Sequence, residues 1–262
     1  MLRDDARILA LETSGRTGSV AIGTSAGLVA AERLAVDMRH TGQLMPAIDR
    51  LLQQQGWSAD SLTEVFLSIG PGSFTGLRVA VSIARTLAWS VQARVVAVPT
   101  MAALARNALF VDTSAVDSAV EPSSPPDSAG WPPAHVAMVI DAKRNQMFTA
   151  CYRLDKSAGS QFTYTELRAA CLADPREFLA SCPKPVVVLG EGIPRHREAI
   201  EAAGATILPE SLWDGRAENV FAVGLELAHA GCFVPARELV PLYIRRPEME
   251  ERWETSSRLS RQ

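Results

Sequence analysis

LTEVFLSIGPGSFTGLRVAVSIARTLAWSV, residues 62–91, reads as a strand, a glycine turn and a long helix, and the rest of the chain is organised around that unit. Val65 to Ile69 is a β-branched and aromatic run, too short for a helix and bounded by glycine and proline, which predicts a buried strand. Pro71 has no N–H to give a ladder. Gly70 and Gly72 permit positive φ, so the chain leaves the sheet in a tight turn that another backbone or a ligand can approach closely. Ser73 or Thr75 can cap the next helix, whose free N-terminal amides make a modest anion site. Along that helix Leu77, Ala80, Val81, Ala84, Ala88 and Val91 form one apolar stripe, Val79 and Ile83 widen it, and only Arg78, Ser82 and Arg85 make a polar line. A helix apolar over most of its circumference is sandwiched in a core or faces a partner chain. The turn is not a P-loop, because Leu77 and Arg78 stand where a lysine and a hydroxyl would have to meet phosphate and magnesium.

Composition narrows the function classes. At 262 residues the chain is long enough for two lobes, at roughly 100–200 residues per domain. Hydrophobic residues at 47% and charged residues at 21% are ordinary for a protein that buries a core. A net charge of -3 argues against a self-sufficient nucleic-acid binder, since affinity for phosphate backbones comes from clustered lysine and arginine, but it leaves room for a role beside RNA. Cys151, Cys171, Cys182 and Cys232 have no CxxC spacing and read as reduced thiols rather than as a zinc site or a disulfide framework. The opening MLRDDARILALETS has an apolar run too short for a secretory signal, and no stretch approaches the roughly 20 apolar residues of a membrane span, so a cytoplasmic location is expected.

In chain order, residues 7–13, 18–23 and 28–34 are three β-like runs separated by polar turns, a β-meander. The first turn, Glu12 to Gly18, combines an acid, hydroxyls and glycines; that composition suits a phosphate contact, and it also suits an ordinary hairpin. After His40, a capping or packing histidine, a helix over 41–55 carries Leu44, Ile48, Leu51 and Leu52 on one face with Met45, and Pro46 must lie in its opening turns or kink them. A strand over 94–98 and a helix over 101–108 follow, then DTSAVDSAVEPSSPPDSAGWPP at 112–133, which lacks apolar periodicity. A second lobe begins with a strand over 135–140, a turn at Asp141 and a returning strand over 146–152. Asp141 is expected to pair with Lys143 or Arg144 or to cap its turn. A short helix over 175–181, a strand over 185–189, the turn Gly190-Glu191-Gly192, a helix around 197–203 and a last helix over 217–230 complete it. The expected organisation is an N-terminal lobe (1–110), an insertion or linker (111–133), a C-terminal lobe (134–212), a helix and segment packing back on the N-terminal lobe (213–247) and a charged tail (248–262).

Five segments in this order, ILALETSGRTGSVAIG, RHTGQLMPAIDRLL, GPGSFTGLRVAVSIARTLAW, IDAKRNQMF and PLYIRRPE, resemble the bacterial TsaB (YeaZ) family, with GPGSFTGLR at 70–78 the most specific of them. The resemblance covers residues 7–108 closely and 134–247 more loosely. It implies a two-lobed α/β fold similar to actin, Hsp70 and the sugar kinases, each lobe a β-sheet flanked by helices. In that superfamily the first hairpin turn carries an aspartate for the metal and phosphates of ATP; here Glu12 stands in its place, one methylene longer. The later adenosine turn is usually Gly-Gly; here it is Gly190-Glu191, whose carboxylate crowds a nucleotide.

The resemblance further implies a noncatalytic scaffold subunit for threonylcarbamoylation of adenosine 37 in tRNAs reading codons that begin with A. Its partners would be a TsaD-like catalytic subunit and a TsaE-like ATPase, with tRNA in the assembly and a homodimer when the chain is alone. The partner face implied is Leu44, Ile48, Leu51, Leu52, Phe74, Arg78, Val79, Ser82, Ile83, Arg85 and Thr86. A degenerate nucleotide site would draw on Glu12, Thr13, Ser14, Gly70, Gly72, Asp141, Gly190 and Gly192. No cofactor of its own is expected; ATP or ADP would lodge at the interface with the partner. The family's transferase holds metal through two histidines on one helix, whereas His40, His135, His196 and His229 are scattered here, so no metal site and no metal-dependent protease activity are expected. The alternative is a free-standing ATP-dependent kinase or ATPase using Glu12, Thr13 and Asp141.

Overall fold

The computed structural model describes residues 2–34, 40–109, 133–156 and 162–245. The insertion expected at 111–133, except for its last residue, and the tail expected at 248–262 lie outside these residues, as does the side chain of His40.

The first sheet has five strands in the order β3 (Gly27–Arg33), β2 (Ser19–Thr24), β1 (Arg7–Glu12), β4 (Glu64–Ser68), β5 (Arg94–Val98). The meander pairs antiparallel, and β1, β4 and β5 run parallel. Strand side chains alternate between faces, so a sheet covered on both sides needs apolar residues at every position. That is why β1 and β4 read as continuous apolar runs. Leu9, Leu11, Val65 and Leu67 turn to one face, where α1 (His40–Gln54) and α2 (Phe74–Ser90) cover them. Ile8, Ala10 and Phe66 turn to the other, where α6 (Ala217–His229) lies. Pro46 sits inside α1, where it removes one helical hydrogen bond.

The second sheet joins β11 (Thr206–Ile207), β10 (Val187–Leu189), β6 (His135–Met138) and β8 (Met147–Lys156), with β7 (Ile140–Asp141) pairing the start of β8 and β9 (Phe162–Ala173) pairing β8 along most of its length. Helices α4 (Pro175–Ala180) and α5 (Ile193–Ala202) cap it. The protein therefore has the expected two-lobed α/β fold. Strand β9 is an addition to the sequence reading. The helix expected at 101–108 is α3 (Thr100–Ala105) followed by a 3-10 turn, Arg106–Leu109. Its Met101, Leu104, Ala105 and Ala108 belong to the second lobe's core and Ala103 to the first, so this segment contributes to both cores.

Candidate functional site

Two regions gather the residues singled out above. In the first, the β1–β2 turn, the 70–76 turn and the loop before α6 meet edge to edge. The Ser73 N–H donates to the Ser14 carbonyl at 2.6 Å, and the Thr13 hydroxyl donates to the Gly76 carbonyl at 2.8 Å. The glycines are required by proximity: a Cβ on Gly76 would stand 1.9 Å from the Thr13 oxygen, and one on Gly72 would stand 2.5 Å from that of Ser14. Ser73 is the N-cap of α2, its hydroxyl accepting from the Gly76 N–H at 3.3 Å.

Glu12 is fully buried. Its Oε1 accepts from the Ser14 N–H at 2.6 Å and the Ser14 hydroxyl at 2.5 Å, its Oε2 has no hydrogen-bond partner, and Gly215 packs flat against it. Burial raises its pKa above the usual carboxylate value, more than the Ser14 donors lower it. From the β10–α5 turn Glu191 accepts from the Arg16 N–H at 2.9 Å, and burial, with Asp141 and Asp214 nearby, raises its pKa too. Gly190 and Gly192 lie where a Cβ would strike the backbone of Val139, Ile140 and Asp141; their role is close packing of β10's turn on β7. Asp141 caps its own turn by accepting from the Lys143 N–H at 3.0 Å, and its ion partner is Arg195 at 3.5 Å rather than Lys143 or Arg144. Neighbouring His196 is buried and its pKa is lowered by that burial, so it stays neutral beside Asp141 at pH 7.

Several of these groups are already engaged within the chain. The backbones of 13–14 and 72–76 are in contact, and the Thr13 hydroxyl is spent on Gly76. The Glu12 carboxylate is sealed under Gly215. Gly70 faces elsewhere: its N–H donates to the Thr100 hydroxyl at 2.9 Å, and Leu242 lies over it.

The second region is the outer side of α1 and α2. A groove of about 510 Å³ runs between them, lined by Met45, Phe74, Thr75, Arg78, Val79, Ser82 and Ile83. Met45 is 56% exposed and Phe74 37%, and both stand in the same groove, so their apolar surface is contiguous. The Arg78 guanidinium lies 3.8 Å over the Phe74 ring and donates to the Tyr243 hydroxyl at 3.1 Å. Ser82, Thr86 and Ser90 each donate to the carbonyl four residues earlier in α2, at 2.8–2.9 Å, forming a ladder along the exposed side.

Four of the residues expected at a partner face are buried instead. Leu44, Ile48, Leu51 and Leu52 are at most 5% exposed and pack on the first sheet with Leu9 and Leu11, because the amphipathic stripe of α1 is what covers that face. Arg85 is exposed, but its guanidinium is engaged within the chain, donating to the carbonyls of Ala236 at 3.1 Å and Leu239 at 2.7 Å. Phe74, Arg78, Val79, Ser82 and Ile83 do line the groove, and Thr86 lies one turn beyond on the same exposed side. Met45 and Tyr243 were missed. By sequence Met45 falls beside the core stripe, and nothing local to Tyr243 signals that it returns to α2.

Among known proteins, residues 34–167, just over half of the chain, match the family model described as TsaD, tRNA N6-adenosine threonylcarbamoyltransferase. The chain is 28% identical over 249 residues to the tRNA threonylcarbamoyladenosine biosynthesis protein TsaB of Bacillus subtilis, covering 94% of this chain and 97% of that one. It is 22% identical to the TsaB of Escherichia coli, over 91% of this chain and 94% of that one. A solved structure described as YeaZ from Pseudomonas aeruginosa superposes with a TM-score of 0.68 at 22% identity, over 91% of this chain and 99% of that one, and so shares the fold. The chain belongs to the TsaB (YeaZ) family.

Proposed function

We propose that the chain is a noncatalytic scaffold subunit in threonylcarbamoyladenosine biosynthesis, pairing through the α1–α2 groove with a TsaD-like transferase, which a TsaE-like ATPase and the tRNA substrate join. The observation that carries this reading is the groove itself: large apolar side chains stand exposed on a rigid helix pair, and the hydroxyls beside them are already satisfied. The relatives' names place them in this pathway, and both helices lie within the stretch matching the transferase family model, so a transferase subunit would carry a comparable helix pair to oppose them. Support for a noncatalytic role comes from the loop cluster, where the groups suited to phosphate chemistry are bonded to one another. ATP or ADP, if used, is then held at the interface mainly by the partner.

The test is reconstitution. Modification of tRNA is assayed with the TsaD-family subunit and ATPase, with and without this chain, and with its Met45→Glu variant. Met45 points outward, so the change leaves the fold intact and places a charge in the groove, where an uncompensated buried carboxylate costs about 3–5 kcal/mol of pairing. Full modification without this chain would sink the scaffold role. Unchanged pairing by Met45→Glu would move the interface elsewhere.

A further inference from the structure

The final described residues cross the molecule as a strap. After α6 the chain bridges Val234 to Val95, makes a 3-10 turn at Ala236–Glu238 and buries Leu239 against the α2 side of the first lobe. The Leu242 N–H then donates to the Ile69 carbonyl at 2.7 Å, fixing the strap to the end of β4. One residue on, the Tyr243 ring stands 5.1 Å from that of Phe74, and its hydroxyl accepts from Arg78. Two residues further, Arg245 reaches the second lobe, donating to the Ala142 carbonyl and to the Gln146 side-chain oxygen. These two residues bracket the β7–β8 turn, which is closed by bonds from the Ala142 N–H to the Gln146 carbonyl and from the Gln146 N–H to the Lys143 carbonyl, both 3.0 Å.

Phe74 and Arg78 thus have two duties. They line the groove, and they hold Tyr243. From Tyr243 to Arg245 is a span of three residues whose near end is pinned through Leu242, too short to absorb a shift as slack. We infer that the strap carries docking at the groove to the second lobe: a seated partner immobilises Phe74 and Arg78, these fix Tyr243, and Arg245 then holds the 142–146 turn more firmly. Linkage makes the effect reciprocal, so loosening the Arg245 clamp weakens docking by the same factor that docking tightens the clamp. The inference rests on the groove being the partner's seat and adds how occupancy of that seat is sensed beside Asp141 and Glu191. It competes with transmission through α3, which contributes to both cores.

Hydrogen exchange on the full chain, alone and with excess TsaD-family subunit from the same organism, separates these possibilities. In the unmutated chain, amides of α2 slow on binding, and those at 142–146 slow by at least about fivefold, the low end of ordinary coupling between sites. In Arg245→Ala the α2 amides still slow, while 142–146 no longer responds. Protection of α2 with no change at 142–146 in the unmutated chain overturns the inference and leaves the groove reading standing. An equal response at 142–146 in Arg245→Ala also overturns it, assigning the effect to α3 or to direct contact. Absence of protection along α2 removes the groove reading, and the inference with it.

Discussion

Replacing Gly76 by alanine tests how firmly the first turn of α2 is seated on the β1–β2 turn. The added Cβ would fall 1.9 Å from the Thr13 carbonyl oxygen, whereas ordinary contact begins near 3.4 Å, so the two backbones must part by about 1.5 Å. The obstacle is backbone on both sides, which cannot swing away as a side chain does. Overpacking of this kind costs about 1–3 kcal/mol. The parting also stretches the Thr13 to Gly76 bond and the Ser73 to Ser14 bond, each worth about 0.5–1.5 kcal/mol. Alanine's better helix propensity returns at most about 1 kcal/mol. The net loss expected is about 1–6 kcal/mol, or a fall in Tm of roughly 2–24 °C at 2–4 °C per kcal/mol. Gly42→Ala is the matched control: it also lies early in a helix, and its Cβ would meet nothing within 4 Å, so it is neutral or mildly stabilising. Urea unfolding of the three proteins reads both effects. A Gly76→Ala midpoint within 0.5 kcal/mol of the unmutated protein, or a Gly42→Ala loss equal to that of Gly76→Ala, refutes the steric reasoning.

Two further outcomes follow from buried charge. Glu12 has a folded-state pKa above its ordinary value of 4.5, so the folded protein holds that proton more tightly than the unfolded chain; stability from this group is full below 4.5 and declines as pH rises toward the raised value. Glu12→Gln removes that slope while keeping an oxygen for the Ser14 donors, so the variant loses less stability than the unmutated protein between pH 5 and pH 8 in urea titrations; parallel losses would contradict it. Arg94 pairs at 2.5 Å with Glu64, whose side chain is fully buried, and Arg94→Met removes its cation and leaves the carboxylate only the Thr63 hydroxyl, at a cost of about 3–5 kcal/mol, read as a lower unfolding midpoint; a cost under about 1 kcal/mol would mean the pair is idle.

The parts of the fold that could be read in advance are those whose cause is local. Val65 to Leu67 is apolar at successive positions because both its faces are covered, and the α2 pattern follows from a helix lying on that sheet. Periodicity reveals a stripe but not what lies over it: Leu44, Ile48, Leu51 and Leu52 are the stripe of α1, and the cover is the chain's own sheet. Strand β9 was missed because Thr163, Thr165, Glu166 and Arg168 are exposed and irregularities against β8 at Thr149 to Tyr152 break the alternation. The loop cluster is legible as composition, in its acids, hydroxyls and glycines, but its closure is not. Glu191 meets Arg16 across 175 residues and Arg85 meets Leu239 across 154, separations at which no local pattern signals a contact.

The hydroxyl ladder of Ser82, Thr86 and Ser90 bears on how α2 tolerates a change of surroundings. A hydroxyl brought out of water unpaired carries a penalty of about 1–3 kcal/mol. Here each proton is already donated inside the helix, so a second surface can be laid over this side without orphaning a donor. The same side remains wettable when bare, because every oxygen keeps a lone pair for solvent. The helix is thus amphibious, stable as open surface and cheap to dehydrate, a property suited to a contact that must form and part rather than set permanently.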